Sequence, residues 1–142
     1  MASGALLAEG GLLVPFWQSL EPAEFLRWYQ RNASLLLRFF TPLEVIPTVL
    51  VVVAASMSVA RGLPGARLLA LAAVLAIVVL LSFPLYFQAA NASFADATIE
   101  LDAVGAELVR WSCWHWGRTV LAIVSFACAL VAFGDVRRTR PQ

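Results

Sequence analysis

Residues 66–88 read ARLLALAAVLAIVVLLSFPLYFQ, an apolar run in which Arg67, next to its start, is the only charge. A hydrocarbon core about 30 Å thick is crossed by roughly 20 helical residues, so this stretch is long enough to span it. Lipid offers no partner to backbone N–H and C=O groups, and a helix is the form in which such a run satisfies them itself. Working outward, Arg61-Gly-Leu-Pro-Gly-Ala-Arg67 precedes it as a tight turn, and a second apolar segment, 35–60, lies before that turn. On the other side, residues 91–107 carry Asp96, Glu100, Asp102 and Glu107 without a cation, and a further apolar segment comes after them at 114–133. The first apolar stretch, 2–20, is short and holds Glu9 and three glycines, Gly4, Gly10 and Gly11. The expected fold is an all-α membrane protein, a four-transmembrane-helix up-down bundle forming one integral membrane domain over 1–142. Its spans fall at 2–20, 35–60, 66–88 and 114–133, with outer amphipathic connections at 21–34 and 91–113.

Composition agrees. Of 142 residues 61% are hydrophobic and 13% charged, more apolar surface than a soluble domain of this length buries, so the lipid bilayer is the first partner. The net charge is +1 and all ten cations are Arg, with no basic patch to track a phosphate backbone, which argues against nucleic acid. Arg61 and Arg67 flank the turn, and Arg137, Arg138 and Arg140 lie in the tail; by the positive-inside rule both termini face the cytoplasm, in a bacterial inner membrane. Arg27 and Arg31 count against this orientation but are outnumbered. With no cationic flank, Ala2 to Leu20 reads as a span rather than a cleaved signal. Val14-Pro15-Phe16-Trp17-Gln18 echoes Phe83-Pro84-Leu85-Tyr86-Phe87-Gln88, so the bundle also reads as two parallel two-helix repeats.

Ionisable groups within spans are costly and mark functional or structural interiors. Counting 1.5 Å per residue from the inner helix ends puts Glu44 about 24 Å up, Tyr86 about 30 Å, Arg118 about 22 Å and His115 about 27 Å. Whether Glu9 joins that level depends on where the first span begins. Helical spacing sets Trp111, Trp114, His115 and Arg118 on one face and turns Trp116 away. Tryptophans at this height also fit an aromatic belt, and Arg118 a snorkelling cation; an interior ion pair with Glu44 is the reading preferred here. Pro42, Pro47 and Pro84 are expected to kink their helices and open an outer-half pocket. The candidate ligand-binding set is Glu9, Glu44, Tyr86, Gln88, Asn91, Trp111, Trp114, His115 and Arg118. Glu44, His115 and Arg118 are the candidates for chemistry. Glu9, Glu44 and His115 together would suit iron or zinc, but no ligand-spacing motif accompanies them and no metal or cofactor is expected.

Phe83-Pro84-Leu85-Tyr86 with Asn91, then Trp111, Trp114, His115, Arg118 and Thr119, carry a resemblance to the anthrone-oxygenase-like family of small four-helix membrane proteins. The first half matches in layout, through Gly10-Gly11, Pro15 and Pro42. The resemblance implies a tryptophan-rich stretch, a His and then Arg-Thr leading into the last span; here His115 stands one place early, with Trp116 where the His would sit. It also implies oxygenation of an anthrone to an anthraquinone without an obvious metal or flavin motif. Two functions are then open. One is a non-enzymatic subunit of a membrane complex, or a binder of a lipophilic molecule such as a lipid, quinone or pigment. The other is an enzyme oxidising a lipophilic phenol or polyketide, with Glu44 or His115 taking the proton and Arg118 steadying the anion.

Overall fold

A computed structural model describes residues 2–138, with side chains to Asp135. Arg140 lies outside the described residues, and of Arg137 and Arg138 only the helical backbone is described. The described chain is all helix, with no strand. It runs α1 (Ala2–Ala8), a π turn (Glu9–Leu13), α2 (Val14–Gln18), α3 (Pro22–Ala60), α4 (Ala66–Ser82), a second π turn (Phe83–Phe87), α5 (Gln88–Ala95) and α6 (Val104–Arg138). Three helices are long and apolar enough to cross a membrane: Pro22–Ala60, Ala66–Ala95 and Val104–Asp135. The helical stretch from α1 to α2 falls short of that length.

Three of the four spans read from the sequence, 35–60, 66–88 and 114–133, sit inside these helices, but the helices do not stop where the apolar runs stop. Pro22 occupies the first turn of α3 behind an extended Glu21, the position in which a proline costs no hydrogen bond. From there α3 runs unbroken for 39 residues, about 58 Å at 1.5 Å per residue, so 22–34 is the upright extension of a span. Residues 104–113 likewise belong to α6 and 88–95 to α5. α3 is also continuous through Pro42 and Pro47; the irregular turns lie at Glu9–Leu13 and Phe83–Phe87. The hydroxyl of Thr48, beside Pro47, donates to the Glu44 carbonyl at 2.8 Å, one way a membrane helix tolerates proline.

The two ends of the bundle pack differently. Toward the 61–65 turn, small residues set the spacing: Ala72, Ala73, Ala122 and Ala132 are buried, and Ser125 Oγ donates to the Ala72 carbonyl at 2.8 Å. Close approach of this kind drives association where lipid is as apolar as the side chains. Gly65 closes the turn with φ +77°, and a Cβ there would lie 2.9 Å from the Ala132 carbonyl oxygen. At the opposite, aromatic end, the helix extensions converge on a core of Val14, Trp17, Phe25, Leu26, Tyr29, Phe87, Phe94, Val104, Leu108 and Trp111. Trp17 is its hub, with ring contacts to Phe25, Trp28, Tyr29 and Trp111 at 5.3–6.1 Å. Each buried aromatic of this kind contributes about 1.5–3 kcal/mol where the alternative is water.

Candidate functional site

Between the two ends sits a charged cluster. Arg118, buried on α6, reaches two carboxylates from different helices: Nη2 lies 3.1 Å from Glu9 Oε2, and Nη1 lies 3.3 Å and 3.5 Å from the Glu44 oxygens. Its guanidinium carbon stands 4.1 Å from the centre of the Phe87 ring, a cation–π contact. Glu9 and Glu44 are themselves buried, so each charge gains from the others what it lost with water. Two carboxylates face one guanidinium, and full ionisation leaves one negative charge without a counterion in the cluster. The Nε–H of Arg118 has no partner among the described residues.

His115 completes the cluster from behind. It is fully buried, and its Nε2 lies 2.9 Å from the Leu6 carbonyl, which can only accept, so Nε2 carries the hydrogen. Nδ1 then offers its lone pair to Arg118 Nη2 at 3.2 Å. Glu9 Oε2 is 3.6 Å from the same Nδ1. The ring is clamped flat against Trp111, 5.0 Å between centroids and 9° from parallel, and a Cβ on Gly10 would lie 2.9 Å from Nε2. The imidazole thus orients the guanidinium and is sealed on its other faces.

The cluster forms the end of a groove of about 1010 Å³ between α3 and the α4–α5 helix. Its walls are largely apolar, including Leu36, Leu37, Phe40, Pro42, Leu81, Phe83, Pro84 and Phe87, with Trp111 at the back. Of the residues expected at a site, Glu9, Glu44, Gln88, Asn91, Trp111 and Arg118 line it. Tyr86, Trp114 and His115 do not, which corrects the expected walls. Tyr86 instead stacks on the half-exposed Trp114, 5.0 Å apart and 10° from parallel, and donates to Glu107 Oε1 at 2.7 Å. The π turn over Phe83–Phe87 explains the shift, since each residue of helix turns the face by about 100° and a wider turn re-phases the residues beyond it. Trp111 Nε1 donates to Asn91 Oδ1 at 2.9 Å, tying α6 to α5 beside the groove. Glu44 also lines a second cavity of about 140 Å³ with Thr48 and Ser125. Among the described residues no group of three or more metal-ligating side chains is placed to hold an ion.

Tyr29 was not among the residues expected at the site. It lies on α3, is 4% exposed and lines the groove, and its hydroxyl has no hydrogen-bond partner among the described residues. The signal was its position: Phe25 and Tyr29 are one helical turn apart, a buried stripe that a surface connection would not carry.

Long apolar helices around a buried ion cluster and a side groove mark a helical membrane protein. A family model described as anthrone oxygenase matches residues 25–128, and the chain belongs to that family. The match takes in Glu44, His115 and Arg118 but begins after Glu9. No curated protein and no solved structure matches the chain.

Proposed function

We propose that this protein binds a flat lipophilic molecule in the groove between α3 and the α4–α5 helix and that the Glu9–Glu44–Arg118 cluster meets its polar group. The observation that carries the reading is the opening of a buried carboxylate–guanidinium cluster onto a largely apolar groove, also lined by Ser34, Arg38, Thr41, Gln88 and Asn91, the make-up of a site for an aromatic ketone or phenol. Family membership gives that molecule a chemistry. An anthrone loses a ring C–H proton to the carboxylate of Glu44, and the resulting anion is held by the Arg118 N–H groups. Dioxygen is the oxidant: it adds to the electron-rich carbon, and loss of water leaves the quinone, so anthrone and O2 become anthraquinone and H2O. His115, away from the groove with its Nδ1 on Arg118, is a positioning residue in this scheme.

The competing reading is a non-enzymatic binder of a lipid, quinone or pigment, or a subunit cemented into a larger membrane complex. The ties of Arg118 to both carboxylates and His115 favour it, because both terminal nitrogens of the guanidinium are already held from within the protein. Purified protein in nanodiscs, given anthrone and O2, separates the two: anthraquinone formation with matching O2 uptake, lost in Glu44→Gln, supports the enzyme, and saturable binding without turnover supports the binder.

The same reading makes the chain one membrane domain with four spans. Leu6 of α1 is fully buried against Val79 and Ala122, which supports α1–α2 as a member of the bundle. Both termini are placed in the cytoplasm of a bacterial inner membrane, supported by Arg61 and Arg67 at the turn and by helical rather than barrel spans. A cysteine at Gly65 should then be shielded from an impermeant reagent in intact cells, and one at Ala97 should react; the opposite pattern reverses the orientation.

A further inference from the structure

Glu9, Glu44, Arg118 and Arg38 are the charged residues that line the groove. The first three belong to the ion cluster; Arg38 is exposed and makes no ion pair among the described residues. Beside it on α3 stand Ser34 and Thr41, about one turn before and after, and both also line the groove. A hydroxyl in a membrane helix usually donates to the carbonyl three or four residues back, as Thr48, Ser82, Ser93 and Thr119 do here. Ser34 and Thr41 make no such bond among the described residues. One wall of the groove thus carries a guanidinium and two hydroxyls whose donors no group of the protein uses.

Their level in the membrane says what they can hold. Counting 1.5 Å per residue from the inner helix ends puts Arg38 about 33 Å up α3, and Gln88, on the opposite wall, about 33 Å up the α4–α5 helix. A hydrocarbon core about 30 Å thick ends just below that height, so both side chains stand where the phosphates of a bilayer lie. Glu44 is about 9 Å deeper, which separates this place from the ion cluster. Ser34, Arg38, Thr41 and Val45 share one face of α3 by their helical spacing, and along it the polar side chains give way to Val45, level with Leu80 and Leu81 on α4 at about 22 Å. A polar head above an apolar wall is the profile of a lipid lying along the helix. At about 1010 Å³ the groove is at the upper end of small-molecule sites and leaves room beside a three-ring ligand.

We propose that the mouth of the groove binds an anionic phospholipid, with its phosphate held by Arg38, Ser34, Thr41 and Gln88 and one acyl chain running inward past Val45 toward Leu81. The guanidinium–phosphate contact is charge-assisted, and because Arg38 has no acidic partner a net negative head is preferred to one that brings its own cation. The site depends on the groove opening to the bilayer and stands whether or not the groove also takes an aromatic molecule.

The test titrates protein purified in a non-ionic detergent with phosphatidylglycerol and, separately, with phosphatidylcholine, and counts bound lipid by native mass spectrometry. Wild type should take up one phosphatidylglycerol more tightly than phosphatidylcholine, and Arg38→Gln should weaken phosphatidylglycerol by about fivefold with the melting temperature unchanged. Arg31→Gln removes the same charge from an exposed position on the same helix that does not line the groove, and should bind like wild type. Glycerol 3-phosphate, a head without chains, should fail to displace the lipid. Equal phosphatidylglycerol affinity in wild type and Arg38→Gln overturns the proposal, as does an equal loss in Arg31→Gln, which marks a diffuse charge effect. Displacement by glycerol 3-phosphate also overturns it, by showing a site for a free phosphate anion in place of a lipid.

Discussion

Toward the 61–65 turn, α4 and α6 meet through Ala72, Ala73, Ala122 and Ala132, whereas toward the other end Trp17, Phe25, Phe87, Phe94 and Trp111 pack ring against ring. The first region is close-packed because small residues let helix backbones approach closely, which helps to hold helices together in lipid. The second is held by aromatic burial and can tolerate incomplete packing, and the groove lies alongside it with the ion cluster at the boundary. Function is read from the region where packing is left unfinished and polar groups are concentrated, and stability from the region where it is tight.

Removing the cluster's cation should show the largest effect. Arg118→Leu leaves Glu9 and Glu44 buried without a counterion and should destabilise the bundle by about 3–5 kcal/mol, measured by thermal unfolding in detergent. Glu44→Ala and Arg118→Ala should each destabilise, and the double variant should cost less than their sum, because Glu44 is already a stranded charge once Arg118 is gone. A strictly additive cycle would place the two residues apart.

Next come the close approaches. Gly10→Ala drives a methyl to 2.9 Å from His115 Nε2 and 3.2 Å from Trp116, and the imidazole is pinned by Leu6 and Arg118, so about 1–3 kcal/mol should be lost. Gly65→Ala meets Ala132 backbone at 2.9 Å with a positive φ and should cost a similar amount in the tight-packed region. The smallest effect belongs to Trp116→Leu: Trp116 is 43% exposed, and the change should stay within about 0.5 kcal/mol by the same unfolding assay.

Much of this was legible in the sequence for a simple reason. Apolar length marks the spans at 35–60, 66–88 and 114–133, and counting along each helix brings Glu44 and Arg118 to one level, where the structure pairs them at 3.3 Å. Other features were not legible because hydropathy records solvent and not helix continuity. The polar residues of 22–34 and 104–113 end the apolar signal while the helix goes on, which hid Tyr29 in a supposed surface connection. The π turn at Phe83–Phe87 re-phased Tyr86 away from the groove in a way that a strict 3.6 repeat does not foresee. His115 shares a face with Arg118, but periodicity could not tell that the Leu6 carbonyl would seal it off.

The central claim is that the groove beside the ion cluster binds a flat lipophilic molecule, and blocking it tests that claim directly. Ala92 lines the groove on α5, outside the charged cluster, and Ala92→Trp would fill it with a ring. Equilibrium binding of anthrone to nanodisc-embedded protein should be saturable in wild type and fall by at least about tenfold in Ala92→Trp, with the melting temperature preserved. No saturable binding in wild type, or equal binding by the two proteins, would contradict the account.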